Sequence, residues 1–122
     1  MSDSRRRVVL TGAAGRIGRS VSERLRARWH LVETDLEVAD GVHRLDVTDL
    51  QGCREAFAGA DAVVHLAADP DPVATWEDLL APNVVGAHTV ARAASLMSAT
   101  TSSHDVSADA TAPIPTPTST RR

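Results

Sequence analysis

The stretch TGAAGRIG at residues 11–18 constrains the fold of this chain more than any other part of its sequence. It closes the apolar run RVVLT and opens a stripe of apolar residues spaced four apart: Ile17, Val21 and Leu25. An apolar run that stops at glycine is typical of a strand buried on both faces, and the stripe predicts a helix over residues 16–28. A strand that passes through glycines into a helix begins a parallel α/β unit.

The alternation of strand and helix patterns continues along the chain. Strand-like segments cover residues 29–35, 42–46 and 62–68, and the last is the strongest. The helix before the last strand is predicted to begin at a capping box, TDLQ at residues 48–51, and to end at Gly59. The apolar face of this helix consists of Leu50, Cys53, Ala56 and Phe57.

A final helix pattern covers residues 83–94. Its predicted apolar face consists of Val84, Ala87, Ala91 and Ala94. The sequence DPDP at residues 69–72 separates this helix from the last strand, because proline cannot donate a hydrogen bond to a strand ladder. Strands that alternate with helices predict an α/β fold, in which right-handed crossovers build a doubly wound parallel sheet of about four strands.

The composition changes at Ser95. Residues 95–122 consist mainly of Ser, Thr, Ala and Pro, with few large apolar residues and no periodicity. Such a segment cannot bury enough apolar surface to offset its ordering entropy. We therefore predict a folded domain at residues 1–94 and a disordered low-complexity tail at residues 95–122.

The composition also argues against several classes of partner. The formal net charge is −3, so no basic field supports nucleic-acid binding. No apolar stretch approaches the ~18 residues of a membrane span, and the N-terminal MSDSRRR lacks the apolar segment of a signal peptide. These features predict a cytoplasmic chain with no membrane partner. The single cysteine, Cys53, is predicted to be a small buried apolar residue.

Gly12, Gly15 and Gly18 are spaced as in a phosphate cradle. Glycine lets the chain turn sharply close to a phosphate, and the positive end of the following helix dipole faces the anion. Asp35 lies roughly 20 residues past the first glycine, where a carboxylate can accept hydrogen bonds from ribose hydroxyls and repel a 2′-phosphate. A P-loop is excluded because all 13 basic residues are arginine. The predicted cofactor is therefore NAD, with NADP disfavoured.

Four ordered motifs give the chain a specific resemblance. They are TGAAGRIG with Asp35, LDVTD at residues 45–49, VHLAA at residues 64–68 and NVVG at residues 83–86. Over residues 8–94 the chain resembles the extended short-chain dehydrogenase/reductase family, the NAD-dependent epimerase/dehydratases. Its TGAAGRIG form is similar to that of uronate-dehydrogenase-like members. The resemblance implies a partial Rossmann fold and an oxidoreductase of the epimerase/dehydratase type that acts on a sugar or sugar acid.

The resemblance also implies a set of cofactor-binding residues. The pyrophosphate would be lined by Gly12, Gly15, Arg16 and Ile17. Gly18 would let the helix pack closely against the strand. Those on the adenosine side are Asp35 at the ribose and Asp46 and Val47 at the adenine. Those that would run under the nicotinamide side are Leu66, Ala67 and Ala68, and Asn83 would lie on the helix behind the active site.

Several of these residues have a plainer alternative. Arg16 would be solvated at the surface, Asp46 would end a strand, and Asn83 would cap a helix. His65, on an apolar strand, is interpreted as a core histidine with satisfied hydrogen bonds. The histidines show no metal-ligand spacing with carboxylates or Cys53, so no metal site is predicted.

The chain departs from the family in its catalytic residues. Family members supply a Tyr-x-x-x-Lys pair, in which tyrosine transfers the substrate proton and lysine lowers the pKa of the tyrosine. The sequence contains no tyrosine and no lysine, so we assign no catalytic residue and expect a catalytically incomplete chain. The exclusive use of arginine and the abrupt change at Ser95 favour a truncated or frameshifted family member.

Three functional hypotheses remain. The chain is the NAD-binding portion of such an oxidoreductase, a non-catalytic dinucleotide-binding or sensor module, or a fragment without stable function. The family's fifth strand would cover the outer side of strand 62–68, and this chain does not supply it. An exposed apolar edge and self-association through that edge are therefore expected.

Overall fold

A parallel four-stranded sheet forms the centre of the molecule. The computed structural model describes residues 4–97. Within them the strands are β1 (Arg7–Thr11), β2 (His30–Asp35), β3 (Val42–Arg44) and β4 (Ala62–His65). They lie in the order β3-β2-β1-β4, and each neighbouring pair is parallel. The predicted α/β fold with a parallel sheet is confirmed.

Helices connect the strands and cover the sheet. α1 (Arg16–Arg26) joins β1 to β2, and α2 (Leu50–Phe57) precedes β4. After β4 come α3 (Trp76–Leu79), a π-helical turn (Leu80–Val85) and α4 (Gly86–Met97), which follow one another directly. The strand order places the switch point of the topology between β1 and β4, and sheets of this kind bind their ligands at that point.

The core lies where the sheet meets α2 and α4. β1 is an inner strand, and all of its residues after Arg7 are buried. The main cluster of buried apolar residues consists of Val9, Leu45, Val47, Cys53, Phe57, Val90 and Ala93. The prediction that Cys53 is buried is confirmed, and burial together with the nearby Asp49 and Asp46 raises the pKa of its thiol to about 11.

β4 is an edge strand, since within residues 4–97 it pairs with β1 alone. It is shorter than the predicted strand over residues 62–68 and ends at His65. Beyond His65 the Leu66 N–H is shared between the backbone carbonyl of Thr11 at 3.2 Å and the Thr11 hydroxyl at 3.1 Å, and the Ala67 N–H donates to the hydroxyl, so the regular ladder ends there. β3 likewise ends two residues before the predicted boundary, at Arg44.

The N-terminal cap of α2 differs from the predicted one. Asp49, and not Thr48, is the cap residue, and its side chain accepts a hydrogen bond from the N–H of Gly52. The Thr48 hydroxyl donates instead to Asp46. The capping-box prediction was therefore wrong by one residue, whereas Gly59 does end the helix with a φ of 74°.

The buried face of α4 also differs from the prediction. Val84 is 46% exposed, and Ala87 and Ala91 are exposed as well. The buried residues of α4 are Gly86, Thr89, Val90 and Ala93. Alanine and valine occupy both sides of this helix, so apolar periodicity could not identify the packed side. Close packing decided it, because a Cβ on Gly86 would lie 2.8 Å from Cγ2 of Val47.

α1 is shorter than predicted, and a different face of the helix is buried. It ends at Arg26, and its fully buried residues are Gly18 and Ser22. Ile17, which the predicted stripe placed in the core, is 67% exposed. The tight contact of α1 lies at Gly18, where a Cβ would collide with the backbone of Gly12 and Ala13, and an adjacent helical residue points about 100° away from it.

The structure contains a helix that the sequence analysis did not predict. α3 begins with a capping box in which the Thr75 hydroxyl accepts from the Asp78 N–H and the Asp78 carboxylate accepts from the Thr75 N–H. α4 continues to Met97, three residues past the predicted domain boundary at residue 94. The tail predicted at residues 95–122 lies outside the described residues beyond position 97.

Candidate functional site

A cleft of about 600 Å³ opens at the carboxyl ends of β1, β2 and β4. Its size lies within the range of small-molecule and cofactor sites. Eight residues proposed from the sequence line it, namely Gly12, Gly15, Asp35, Asp46, Val47, Leu66, Ala67 and Ala68. The structure therefore brings together residues that are more than fifty positions apart in the sequence.

The glycine turn is shaped by close backbone contacts. Gly12 has a φ of 72°, and a Cβ there would lie 2.6 Å from the backbone nitrogen of Ala67. A Cβ on Gly18 would collide with the carbonyl oxygen of Gly12. Gly12 thus lets β1 approach the end of β4, and Gly18 lets α1 approach the turn.

Most backbone donors of the glycine turn are already used. The N–H of Ala13 donates to the carbonyl of Thr34 at 3.0 Å, and the N–H of Gly15 donates to Gly12 at 3.2 Å. The N–H of Ala14 donates to Asp35 Oδ2 at 3.0 Å. The turn itself therefore has no N–H left at positions 13–15 for a ligand.

The free donors lie one step further on, in the first turn of α1. The cap residue Gly15 has no side chain to accept their hydrogen bonds, and the first intrahelical bond is that of the Arg19 N–H. The first turn contains no acidic side chain. A helix N-terminus with free N–H groups is a favourable place for an anion.

Arg16, Ile17 and Gly18, which the sequence analysis also proposed, do not line the cleft. Arg16 and Ile17 are exposed at the start of α1, and Gly18 is buried beneath the turn. Their backbone N–H groups belong to the first turn of α1, so any contact with a ligand would come from the backbone.

Asp35 connects the end of β2 to the glycine turn. Its Oδ2 accepts from the Ala14 N–H, and its Oδ1 accepts from the Glu37 N–H at 3.2 Å. A carboxylate has about four lone-pair positions, so both oxygens retain capacity for a further donor. The residue therefore supports the turn and also lines the cleft.

Asp46 follows β3 and lines the neighbouring part of the cleft. Its Oδ1 accepts from the Thr48 hydroxyl at 2.7 Å and from the Thr48 N–H at 2.9 Å. These hydrogen bonds lower the pKa of the Asp46 carboxyl. Its Oδ2 accepts no hydrogen bond from residues 4–97. Asp46 thus offers a charged acceptor beside Val47.

Thr11 joins the glycine turn to the end of β4. Its hydroxyl lies 2.6 Å from His65 Nδ1 and accepts from the N–H groups of Leu66 and Ala67. Thr11 is fully buried. Thr11 was not among the predicted site residues, although its hydroxyl at the end of a strand, just before glycine, was the available signal.

Asn83 holds the chain that leaves β4. Its Oδ1 accepts from the Asp69 N–H at 2.7 Å, and its Nδ2 donates to the Asp69 carbonyl at 3.1 Å. Asn83 lies inside the π-helical turn, so it is not a helix cap. Further residues that line the cleft but were not predicted include Ala14, Leu36, Glu37, Asp69, Ala81 and Pro82.

Residues 4–97 contain neither a metal-binding cluster nor a membrane-spanning helix. No three His, Cys, Asp or Glu side chains are grouped so that they could hold a metal ion. No helix in that part of the chain has the length and apolar character needed to cross a membrane.

Comparisons with curated proteins point to sugar dehydrogenases. L-arabinose 1-dehydrogenase (NAD(P)(+)) of Haloferax volcanii is 39% identical over 90 residues, which are 72% of this chain and 35% of that protein. NAD-dependent glucose-6-phosphate dehydrogenase of the same organism is 37% identical over 90 residues, 65% of this chain and 34% of that protein. The chain therefore spans about a third of the length of these relatives.

Solved structures show the same likeness. A variant of uronate dehydrogenase from Agrobacterium tumefaciens, complexed with NAD, superposes with a TM-score of 0.67 at 29% identity over 76% of this chain and 37% of that chain. L-threonine dehydrogenase from Clostridium difficile superposes with a TM-score of 0.69 over 79% of this chain and 35% of that chain, and its 22% identity shows the fold alone.

The resemblance predicted from the four sequence motifs is confirmed by a family profile. The profile of the NAD dependent epimerase/dehydratase family matches residues 8–121, which is most of the chain. Together with the parallel sheet and the glycine turn at its switch point, this match shows that the chain belongs to the NAD dependent epimerase/dehydratase family.

Proposed function

We propose that this chain binds NAD in the cleft and is the NAD-binding portion of an oxidoreductase of the epimerase/dehydratase type. One observation carries the proposal. The glycine turn that leads into α1, the carboxylate of Asp35 and the strand end at Leu66–Ala68 line one cleft at the switch point of the sheet. These elements offer an anion site, a ribose acceptor and an apolar wall, which are the groups that a dinucleotide requires.

The pyrophosphate would bind at the first turn of α1. The N–H groups at positions 13–15 are occupied within the protein, so the donors are the backbone N–H groups of Arg16 and Ile17. Gly12 and Gly15 would let the phosphates approach without a Cβ in the way. Gly18 would act indirectly, by letting α1 pack against the turn.

The nucleosides would extend to either side of the pyrophosphate. Asp35 would accept hydrogen bonds from the adenosine ribose, and Asp46 with Val47 would contact the adenine. Leu66, Ala67 and Ala68 would contact the nicotinamide side. When bound, NAD supplies the hydride acceptor, and this chain's residues bind and orient it.

Asp35 also favours NAD over NADP. A 2′-phosphate at the adenosine ribose would stand next to the Asp35 carboxylate, and Glu37 beside it adds a second acidic side chain to the cleft. The negative charges of these two carboxylates would repel the 2′-phosphate and so oppose the binding of NADP. The proposed cofactor is therefore NAD.

The proposed substrate class is a sugar or sugar acid. Its support is the names of similar proteins, which include an arabinose dehydrogenase, a glucose-6-phosphate dehydrogenase and a uronate dehydrogenase. The chain itself has neither tyrosine nor lysine, so it has no Tyr-x-x-x-Lys pair for proton transfer. We therefore propose that the 122-residue chain by itself binds the dinucleotide but does not turn over a sugar substrate.

The test is isothermal titration of the purified chain with NAD and with NADP. Asp35→Asn keeps the size of the side chain and removes its charge. It should weaken NAD binding about ten- to a hundredfold, the effect of losing hydrogen bonds to a charged acceptor, and should narrow the preference over NADP. Asp40→Asn removes the same charge from an exposed residue before β3 and should leave both affinities unchanged. A folded chain that does not bind NAD would overturn the proposal.

The second candidate function is a non-catalytic dinucleotide-binding or sensor module. The absence of tyrosine and lysine favours it, and the outer edge of β4, which pairs with no other strand of residues 4–97, would be its docking surface. An exposed strand edge promotes pairing with another chain, so we propose self-association through β4. Along β4 the N–H groups alternate in direction, and that of Val63 points away from β1 toward the open edge. Sedimentation of the chain, and of a Val63→Pro variant that lacks this edge N–H, tests the association. Hydride transfer to NAD from a sugar would exclude the non-catalytic function.

A further inference from the structure

A buried hydroxyl joins two walls of the cleft. Thr11 is fully buried at the end of β1, and its Oγ1 accepts hydrogen bonds from the N–H groups of Leu66 at 3.1 Å and Ala67 at 3.2 Å. Leu66 and Ala67 form one wall of the cleft, and Gly12, next to Thr11, lies in the other. We call Thr11 with these two hydrogen bonds the Thr11 bridge.

The hydrogen of the Thr11 hydroxyl points toward His65. A hydroxyl has one hydrogen and two lone pairs, and the N–H groups of Leu66 and Ala67 occupy the lone pairs. His65 Nδ1, 2.6 Å away, is the acceptor that the described residues provide for the remaining hydrogen. This arrangement requires an unprotonated Nδ1, and therefore a neutral imidazole that carries its proton on Nε2.

We propose that His65 is a positioning residue of the dinucleotide cleft, which in its neutral form orients the Thr11 hydroxyl and thereby fixes the strand end at Leu66 and Ala67. The inference rests on the proposed binding of NAD. A proton on Nδ1 would bring a third donor to an oxygen with two lone pairs and leave the hydroxyl hydrogen without an acceptor. The hydrogen bonds from Leu66 and Ala67 to the hydroxyl then weaken, and the bond from the Leu66 N–H to the Thr11 carbonyl at 3.2 Å is left to hold this wall to β1. The wall becomes less well fixed, and NAD affinity falls.

The surroundings of His65 also favour its neutral form. β1 and α4 pack against β4. The charged and titratable groups on these elements and beside β4 are Arg7, His88, Arg92, Asp61 and Asp69. None of them shifts the pKa of His65, which is lowered by burial alone. Among residues 4–97, no neighbouring carboxylate therefore stabilises the imidazolium, and this favours an intact bridge at neutral pH.

The sign of the pH dependence follows from linkage. If NAD binds best when His65 is neutral, then NAD must lower the pKa of His65 further. NAD affinity is therefore highest above the pKa of His65 in the free chain and is lost as the pH falls through it. One proton changes the affinity by at most about tenfold per pH unit.

The experiment is a titration of the full chain with NAD between about pH 7.5 and about pH 5.5, the range in which histidine changes its charge. His65→Asn places Oδ1 near the position of Nδ1 and keeps an acceptor that does not titrate. His43→Asn, at an exposed residue of β3, is the matched control. Because the pKa of His65 is lowered, we expect the dissociation constant to rise toward pH 5.5 by less than about tenfold in the wild type and in His43→Asn, and to stay constant in His65→Asn.

The outcomes separate this inference from the proposed function. NAD binding that does not depend on pH, or a pH dependence that persists in His65→Asn, overturns the positioning role. Failure to bind NAD near pH 7.5 overturns the proposed function instead. The bridge is then tested without ligand, by following amide and imidazole signals of the free chain by NMR. The chemical shifts of the Leu66 and Ala67 amides should change over the same pH range as those of the His65 imidazole. Amide shifts that do not change when His65 is protonated overturn the bridge.

Discussion

Replacing Gly12 with alanine measures how closely the ends of β1 and β4 are held together. A Cβ on Gly12 would lie 2.6 Å from the nitrogen of Ala67 and 2.7 Å from the carbonyl carbon of Leu66. Both are backbone atoms, so rotation of a side chain cannot relieve the contact. Gly41 is a matched control, because its φ is 75°, against 72° for Gly12, and a Cβ there meets no atom within 4 Å.

Both variants place alanine at a positive φ, and only Gly12→Ala also overpacks the backbone around it. A positive φ costs an L-residue about 1–2 kcal/mol, and part of this is offset because alanine restricts the unfolded chain by about 0.4–1 kcal/mol. Overpacking adds about 1–3 kcal/mol for Gly12→Ala alone. We expect the free energy of unfolding to fall by about 1 kcal/mol for Gly41→Ala and about 3 kcal/mol for Gly12→Ala.

Urea denaturation followed by circular dichroism measures both values. A difference of about 2 kcal/mol corresponds to roughly 8–16 °C in Tm for a domain of this size. Gly15→Ala is a further control, since its Cβ would lie 3.4 Å from the Gly12 carbonyl oxygen and its φ is −71°. Equal destabilisation by Gly12→Ala and Gly41→Ala would refute the close approach of the strand ends.

Three other predictions concern single contacts. Cys53 should react with a thiol reagent only as the chain unfolds, because it is buried and the pKa of its thiol is about 11; reaction at the rate of an exposed thiol would contradict this. Asn83→Ala should lower the free energy of unfolding by about 1–3 kcal/mol in urea denaturation, because both of its bonds to the Asp69 backbone are lost, and Asn83→Asp, which keeps the acceptor, should cost less. Hydrogen bonds from Thr48 lower the folded-state pKa of Asp46 below its ordinary 3.8, so its contribution to stability is complete above that value and is lost as the pH falls through the folded-state pKa. Thr48→Val should therefore make the free energy of unfolding, measured by circular dichroism, depend less on pH in the acid range. An unchanged pH profile of this free energy would contradict the role of Thr48.

The sequence was most informative where one residue type alone suits the backbone. Gly12 and Gly59 both have positive φ, and each lies at the turn that its position predicted. The run RVVLT could be assigned to a buried strand because every residue after the first is buried, which removes the need to choose a face. Asp35 was placed correctly at the end of β2 because acidic residues follow an apolar strand there.

Periodicity failed where both sides of a helix carry similar residues. The apolar face of the last helix was predicted to consist of Val84, Ala87, Ala91 and Ala94, of which Ala94 alone is partly buried, whereas Val90 and Ala93 are buried. Alanine and valine differ too little in hydrophobicity to identify one side. The contact between Gly86 and Val47 determines the rotation of the helix, and this contact joins residues 39 positions apart.

The sequence by itself determined the alternation of strands and helices, the glycine turn and the acidic residue that follows β2. These features depend on neighbouring residues, because backbone freedom and apolar pattern act over a few positions. The tertiary structure alone decided which donors remain free, since Asp35 takes the N–H of Ala14 and Thr11 takes those of Leu66 and Ala67. A buried polar group must find its partner wherever the fold places one, and that partner can be more than fifty residues away.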